Sequence, residues 1–167
     1  MAVQATKRER IGAWLAAAFL LAGDTAAARD GSAPKHDVVV LAAVQAARAK
    51  LRTAGCRAIF TDFTDSSGRT LQERLDALQE SGESYLERLN FVNGQSDGRC
   101  SRRKTLAYTS PGSRVVYFCG RKLADRVHTN RDFAAVIVLH EELHSLGLEE
   151  NPPSSEEITR RVMARCW

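Results

Sequence analysis

The segment from residue 132 to residue 147, DFAAVIVLHEELHSLG, constrains the fold more than any other part of the chain. An apolar run leads into two histidines one helical turn apart, and Asn130 or Thr129 before it can cap a helix that begins near Arg131. Five residues of this segment share one stripe at helical spacing: Phe133, Ile137, His140, His144 and Gly147. The segment therefore predicts a helix that carries two imidazoles on one face and ends at a glycine.

The two histidines belong to the pattern H-E-x-x-H, formed by His140, Glu141 and His144. Imidazoles one turn apart can place their nitrogens around a single ion, as tetrahedral zinc requires at about 2.0–2.1 Å. Glu141 lies roughly 100° around the helix from His140, where its carboxylate can take a proton from a metal-bound water. The alternative is a solvent-facing helix end with neighbouring histidines. The apolar run before the motif favours a buried site, and burying such groups together without a metal costs free energy.

A catalytic zinc ion needs a third protein ligand and an open position for water. From His140 to Glu150 the chain reads HEELHSLGLEE, and Gly147 permits a sharp turn that brings Glu150 back towards the metal. Glu157 and Glu156 are the alternative third ligands. Glu157 also fits an S-x-x-E capping box at the start of the next helix, which is a structural role.

The run HEELHSLGLEE resembles the extended metzincin signature, with Glu150 in the position of that clan's third histidine. The clan also carries a methionine in a tight turn beneath the zinc, whereas Met163 lies in a predicted helix. Together with PGSRVVYFCG and ENPPSSEEITRRVMARC, the run is similar to a family of small secreted bacterial proteins regarded as zinc metallopeptidases. This resemblance is best over the last third of the chain. It implies a peptidase-like zinc site at His140, Glu141 and His144 and leaves the substrate open.

The first 28 residues have the layout of a secretory signal peptide. A basic start precedes the apolar run 11–23, and small residues follow at 25–28. As a helix the apolar run spans about 20 Å, short of the roughly 30 Å core of a bilayer, so we expect cleavage rather than a membrane anchor. The sequence thus predicts a secreted or periplasmic protein with a polar tail at 29–36 and one domain at 37–167.

Four cysteines follow the predicted cleavage site, and an even number in an exported chain favours two disulfides. We favour Cys100–Cys119, which brackets a predicted hairpin, together with Cys56–Cys166. No two cysteines have C-x-x-C spacing, which argues against a cysteine metal site.

Composition and charge narrow the class of protein. The chain is 44% apolar and 26% charged, as in globular domains, and its 24 basic and 20 acidic side chains give a net charge of only +4. That charge is too small for a dedicated nucleic-acid binder. We expect a monomer that acts on a peptide or protein. The alternatives are a secreted binding or structural domain with a non-catalytic zinc, and a zinc amidase acting on cell-wall material.

The predicted fold class is α+β: a zincin-like domain with an active-site helix, a β-hairpin and flanking helices, stapled by two disulfides. The predicted elements are a helix over 37–54 closed by Gly55, a strand over 57–63, a turn at 65–68, two short helices within 70–89, a hairpin over 106–119, the helix 131–147 and a last helix reaching Arg165.

Several other side chains have two interpretations each. Tyr108 and Tyr117 can donate to a developing oxyanion or pack across the hairpin. The strand RVVYFC can form a sheet edge that receives an extended peptide. Glu142 and Glu149 are expected to face water. A basic cluster can attract an acidic partner or form a solvated loop; it consists of Arg99, Arg102, Arg103 and Lys104.

Overall fold

The computed structural model describes the backbone of residues 35–167 and the side chains of residues 38–167. This part of the chain contains seven α-helices and three short strands. The predicted signal peptide lies outside the described residues. The helices are α1 (Lys35–Leu51), α2 (Ala54–Arg57), α3 (Leu71–Leu78), α4 (Gly82–Glu87), α5 (Gly120–Thr129), α6 (Arg131–Ser145) and α7 (Ser155–Cys166). The strands are β1 (Asn90–Asn93), β2 (Ala107–Tyr108) and β3 (Val115–Phe118). The fold is therefore α+β, as predicted.

Helix α6 is buried in the centre of the fold, in contact with α1, α5, α7 and the sheet. Its side chains away from the histidine stripe include six apolar residues that are buried: Ala134, Ala135, Val136, Val138, Leu139 and Leu143. A helix that is apolar on most of its circumference must be covered by other elements. The Asn130 side chain accepts the Phe133 amide at 3.1 Å, and Gly147 beyond the last turn has φ +114°. The predicted bounds of this helix are confirmed.

The sheet has the order β1-β3-β2. β2 and β3 form the predicted hairpin, with Tyr108 opposite Tyr117, and β1 pairs parallel to β3 with Asn90 opposite Val115. β1 was not predicted. The segment RVVYFC forms β3, which is the central strand, so the expectation that it forms a sheet edge is wrong. The edge strands are β1 and β2.

The segment 57–63 is a turn of 3₁₀ helix at Ala58–Thr61 rather than the predicted strand. Ile59 and Phe60 are adjacent, and both are buried together with Phe63. Adjacent side chains of a strand point to opposite faces, so one buried face cannot take both of them.

The first helix also ends earlier than predicted, at Leu51. Thr53 then caps α2 by accepting the Cys56 amide at 3.3 Å, and Gly55 lies inside α2. A Cβ at Gly55 would lie 3.1 Å from the carbonyl oxygen of Arg165, so this glycine allows the close approach of α7.

Both predicted disulfides are present. Cys56–Cys166 joins α2 to the end of α7 across 110 residues, and Cys100–Cys119 joins the 3₁₀ turn Gly98–Ser101 to the end of β3 across 19 residues. The long-range bond fixes α7 against the rest of the fold, and by restricting the unfolded chain it contributes about 4–5 kcal/mol in the entropic description.

Gly82 at the start of α4 provides a test of the packing. A Cβ at this position would clash with the Phe60 ring, which is buried and has little room to move. We expect Gly82→Ala to lower the free energy of unfolding by about 1–3 kcal/mol. Gly98→Ala is the control, because a Cβ there meets no atom within 4 Å. Urea denaturation measures both variants; equal stability would contradict the described packing.

Candidate metal centre

The last two turns of α6 bring the predicted histidines together. The Nε2 atoms of His140 and His144 lie 3.0 Å apart, and both side chains are largely buried. The two residues face the same cleft as Phe133 and Ile137, so the predicted stripe forms the wall of a cleft rather than part of the core.

Glu150 reaches the same point from the loop after α6. The helix closes with the Leu148 amide donating to the Leu143 carbonyl at 3.1 Å, and the chain then turns back. Glu150 Oε1 lies 3.7 Å from His140 Nε2 and 3.3 Å from His144 Nε2. The ligand atoms of these three residues lie within 4.8 Å of one another, which identifies a group that could hold a metal ion.

The spacing of the three ligand atoms suits a small tetrahedral ion. Ligands placed about 2.0–2.1 Å from a tetrahedral centre are separated by about 3.3–3.4 Å. The observed separations of 3.0, 3.3 and 3.7 Å bracket that value. Small shifts of the side chains would therefore complete the coordination geometry.

The remaining ring nitrogens fix how each histidine presents its Nε2. His144 Nδ1 lies 2.7 Å from the Leu148 carbonyl oxygen, which can only accept, so Nδ1 carries the proton and Nε2 has a free lone pair. His140 Nδ1 lies 3.0 Å from Thr159 Oγ1 on α7. Burial lowers the pKa of His144, which favours the neutral ligand form. Such outer hydrogen bonds orient metal-binding histidines.

The two alternative third ligands lie elsewhere. The Glu157 amide donates to Ser154 Oγ at 3.2 Å, which is one half of the predicted capping box. The Glu157 carboxylate pairs with Arg161 instead of the Ser154 amide, so the other half is not formed. The Glu157 side chain lines a separate, smaller hollow of about 410 Å³. Glu156 lines the cleft but is exposed and pairs with Lys104 at 3.6 Å.

Glu141 lines the cleft beside the three residues, and its side chain is nearly inaccessible to solvent. Burial, reinforced by the charge of Glu150, raises the pKa of Glu141 to about 8, against a smaller opposing effect of the Thr109 amide. Its Oε2 atom has no hydrogen-bond partner among the described residues. A cation held by the neighbouring ligands would favour the ionised carboxylate.

Glu142 was expected to face water, and this is wrong. Its side chain is fully buried, and neither carboxylate oxygen has a hydrogen-bond partner among the residues described. Burial raises the pKa of Glu142 well above its usual range. The reason is the position of α6, whose face opposite the cleft is covered by other helices. Glu149, in contrast, is exposed as expected.

The two hairpin tyrosines stack on each other, with ring centroids 5.1 Å apart. Tyr117 does not line the cleft. The Tyr108 hydroxyl is buried against Gly94, where a Cβ would approach it to 3.1 Å. These contacts correspond to the cross-strand packing role and not to donation to an oxyanion.

The cleft around the three ligand residues has a volume of about 990 Å³. Its walls come from α5, α6, α7, the strand β2 and the loop before β2. Of these, the sequence pattern identified the α6 residues and Glu150. It gave no signal for Thr159, which faces His140 only because α7 packs against α6.

Comparison of the chain with protein-family models, with curated proteins and with solved structures finds no match in any of the three. Within residues 35–167, none of the helices combines the length and hydropathy that crossing a bilayer requires.

Substitution of the two candidate glutamates tests the ligand set. We expect Glu150→Ala to weaken zinc binding by at least about 100-fold. Loss of an outer-shell group that orients a ligand lowers metal affinity by up to about 100-fold, and loss of a direct ligand should lower it at least as much. Glu157→Ala, the matched control on α7, leaves the affinity within about threefold. Competition with a chromophoric chelator measures both dissociation constants. Equal loss in the two variants would contradict the assignment of Glu150.

Glu142 gives a separate prediction about stability. The pKa of Glu142 is higher in the folded chain than in the unfolded chain, where it is about 4.5. As pH rises above that value, the unfolded chain loses this proton before the folded chain does. The contribution of Glu142 to the free energy of unfolding therefore falls as pH rises. We expect Glu142→Met, which has similar volume and no charge, to increase the free energy of unfolding at pH 8 by at least about 1 kcal/mol. Chemical denaturation at pH 5 and pH 8 measures the difference, which should be larger at pH 8. A less stable variant at pH 8 would show that the carboxylate is not an unpaired buried group.

Proposed function

We propose that this protein is an exported zinc-dependent metallopeptidase. The observation that carries the proposal is the convergence of His140, His144 and Glu150 on one point of an open cleft, with Glu141 beside them. Two imidazoles and one carboxylate are a ligand set typical of catalytic zinc, and tetrahedral spacing favours this metal over calcium or magnesium, which prefer more oxygen ligands.

The number of ligands supports a catalytic rather than a structural metal. Structural zinc sites have four protein ligands, whereas catalytic sites have three and keep one position open. Among the described residues, these three are the group of histidine, cysteine or acidic side chains close enough to share an ion. Both cysteine pairs are committed to disulfides. This composition favours an enzyme over a binding domain with a closed zinc site.

The chain's own residues supply the other steps of peptide hydrolysis. When bound, zinc polarises a carbonyl and lowers the pKa of water. Thr159 and the Leu148 carbonyl orient His140 and His144 so that their Nε2 atoms converge on the point where the ion would be held. Glu141 accepts a proton from the attacking water and delivers it to the leaving amine. Its buried position limits the access of bulk solvent to that carboxylate.

The strand β2 supports a peptide substrate over cell-wall material. Ala107 and Tyr108 line the cleft, and β3 pairs with one edge of their strand. The other edge has no strand partner among the described elements. An extended peptide can pair with such an edge through its backbone and so pass the metal site in a fixed direction. The two disulfides fit the proposed export to an oxidising compartment.

Glu141→Gln tests the proposed general base. We expect this variant to retain one zinc ion per chain and to lose about 10²–10⁴-fold in kcat/KM, because the amide cannot accept the proton. The assay uses a pool of internally quenched peptides with wild-type protein as reference, and zinc is measured on the same samples. Glu149→Gln is the control, since Glu149 is exposed and does not line the cleft. Full activity of the Glu141 variant would contradict this role.

A further inference from the structure

The cleft has an excess of basic side chains. Five of them line it, contributed by the loop before β2, by α5 and by α7: Arg99, Arg103, Lys104, Arg126 and Arg160. The acidic residues of the lining are Glu141, Glu150 and Glu156. Two of these belong to the candidate metal centre, so Glu156 is the acidic residue left to balance the basic set.

Three of the basic residues have no carboxylate partner within the described part of the chain. Arg99 pairs with Asp97 at 3.4 Å, and Lys104 pairs with Glu156 at 3.6 Å. Arg103, Arg126 and Arg160 are exposed and form no such ion pair with any residue that the structure describes.

Arginines outside the cleft provide a contrast. Of the twelve arginines outside the cleft in the described part of the chain, four form no ion pair with a described residue: Arg57, Arg102, Arg121 and Arg131. The other eight pair with nearby carboxylates: Arg48, Arg52, Arg69, Arg74, Arg88, Arg114, Arg161 and Arg165. Carboxylates are thus distributed over the rest of the surface and sparse at the cleft. Like charges collected around a concave surface focus the field and attract ligands of the opposite sign.

The three arginines without a carboxylate partner come from three different elements that line the cleft. Arg160 follows Thr159, the residue that contacts His140. Arg126 on α5 lies over the Phe133 ring at 5.6 Å, at the start of α6. Arg103 belongs to the loop before β2. A peptide in the cleft therefore meets positive charge from three elements of the wall, together with apolar contacts from Phe133 and Ile137.

We propose that the cleft selects acidic peptide segments, with aspartate or glutamate residues near the bond to be cleaved; this rests on the proposed peptidase function. The carboxylates of the substrate pair with Arg103, Arg126 and Arg160. An apolar side chain of the substrate contacts Phe133 and Ile137 on the wall of the cleft. A peptide fits this cleft better than another polyanion does, because the cleft combines its basic residues with the free edge of β2 and with the apolar side chains of Phe133 and Ile137.

Binding to an inactive, zinc-loaded protein tests this selectivity without requiring cleavage. The probe is a fluorescent acidic peptide with one central leucine, compared with the same peptide carrying glutamine and asparagine in place of glutamate and aspartate. In the Glu141→Gln background we expect at least about tenfold tighter binding of the acidic peptide at low salt, and a smaller ratio at about 0.5 M salt.

Two triple variants with the same change of net charge locate the effect. R103E/R126E/R160E is expected to remove at least about tenfold of the affinity for the acidic peptide. R102E/R121E/R131E is the matched control, since those arginines are exposed and do not line the cleft. The melting temperatures of both variants verify that they fold. Equal losses in the two variants, or equal binding of the acidic and neutral peptides, would overturn the proposal.

Two further outcomes separate this proposal from the proposed function. Wild-type protein that cleaves neutral peptides as fast as acidic ones would retain the peptidase function and overturn the selectivity. Charge-dependent peptide binding without any cleavage would retain the selectivity of the cleft and overturn the peptidase. Equally tight binding of a single-stranded oligonucleotide of the same charge would show that the cleft recognises charge alone, which also overturns the proposal.

Discussion

The burial of helix α6 is the constraint on which the rest of the structure depends. Its apolar faces require cover from α1, α5, α7 and the sheet, and that cover leaves one stripe open to the cleft. The stripe holds His140 and His144, so the helix that organises the core also fixes the relative positions of two candidate ligands. The backbone carbonyl of its last residue, Ser145, accepts a hydrogen bond from the buried Tyr85 hydroxyl at 3.0 Å, which anchors the end of α6 from the opposite side.

The end of α6 connects packing to chemistry. Gly147 allows the chain to reverse, and the reversal performs two functions at once. It places the Leu148 carbonyl against His144 Nδ1, which sets the tautomer, and it carries Glu150 back to the histidine nitrogens. The long-range disulfide between Cys56 and Cys166 holds α7, which supplies Thr159 behind His140. Three features thus support the candidate site: the end of α6, the hydrogen bond between Thr159 and His140, and the Cys56–Cys166 disulfide that holds α7.

Local patterns predicted much of this arrangement. The H-E-x-x-H spacing and the glycine after it sufficed for His140, His144 and Glu150, because all three depend on one helix and its termination. The disulfides were predicted from the expected export of the chain and from the predicted hairpin. The segment at 57–63 was mistaken for a strand because a short apolar run is compatible with either a strand or a buried helical turn.

Features that depend on tertiary packing were missed. The burial of Glu142 arises from the helices that cover α6, and a polar side chain next to an acidic neighbour in the sequence gives no sign of it. β1 has asparagines at both ends, and it pairs in parallel with β3, which is distant in sequence. A parallel pair is not joined by a tight turn, so the local sequence contains no turn pattern that predicts this strand. The grouping of Arg126 and Arg160 around one cleft likewise requires α5 and α7 to be placed in space.

We propose that this cleft holds an open zinc centre with three protein ligands, and direct observation of the coordination shell tests this proposal most directly. X-ray absorption together with a crystal structure of the zinc-loaded protein would identify the ligands and their distances. We expect the ligands to be His140 Nε2, His144 Nε2 and a Glu150 oxygen at about 2.0–2.2 Å, with water in the fourth position. A fourth protein ligand, or zinc bound without Glu150, would contradict it.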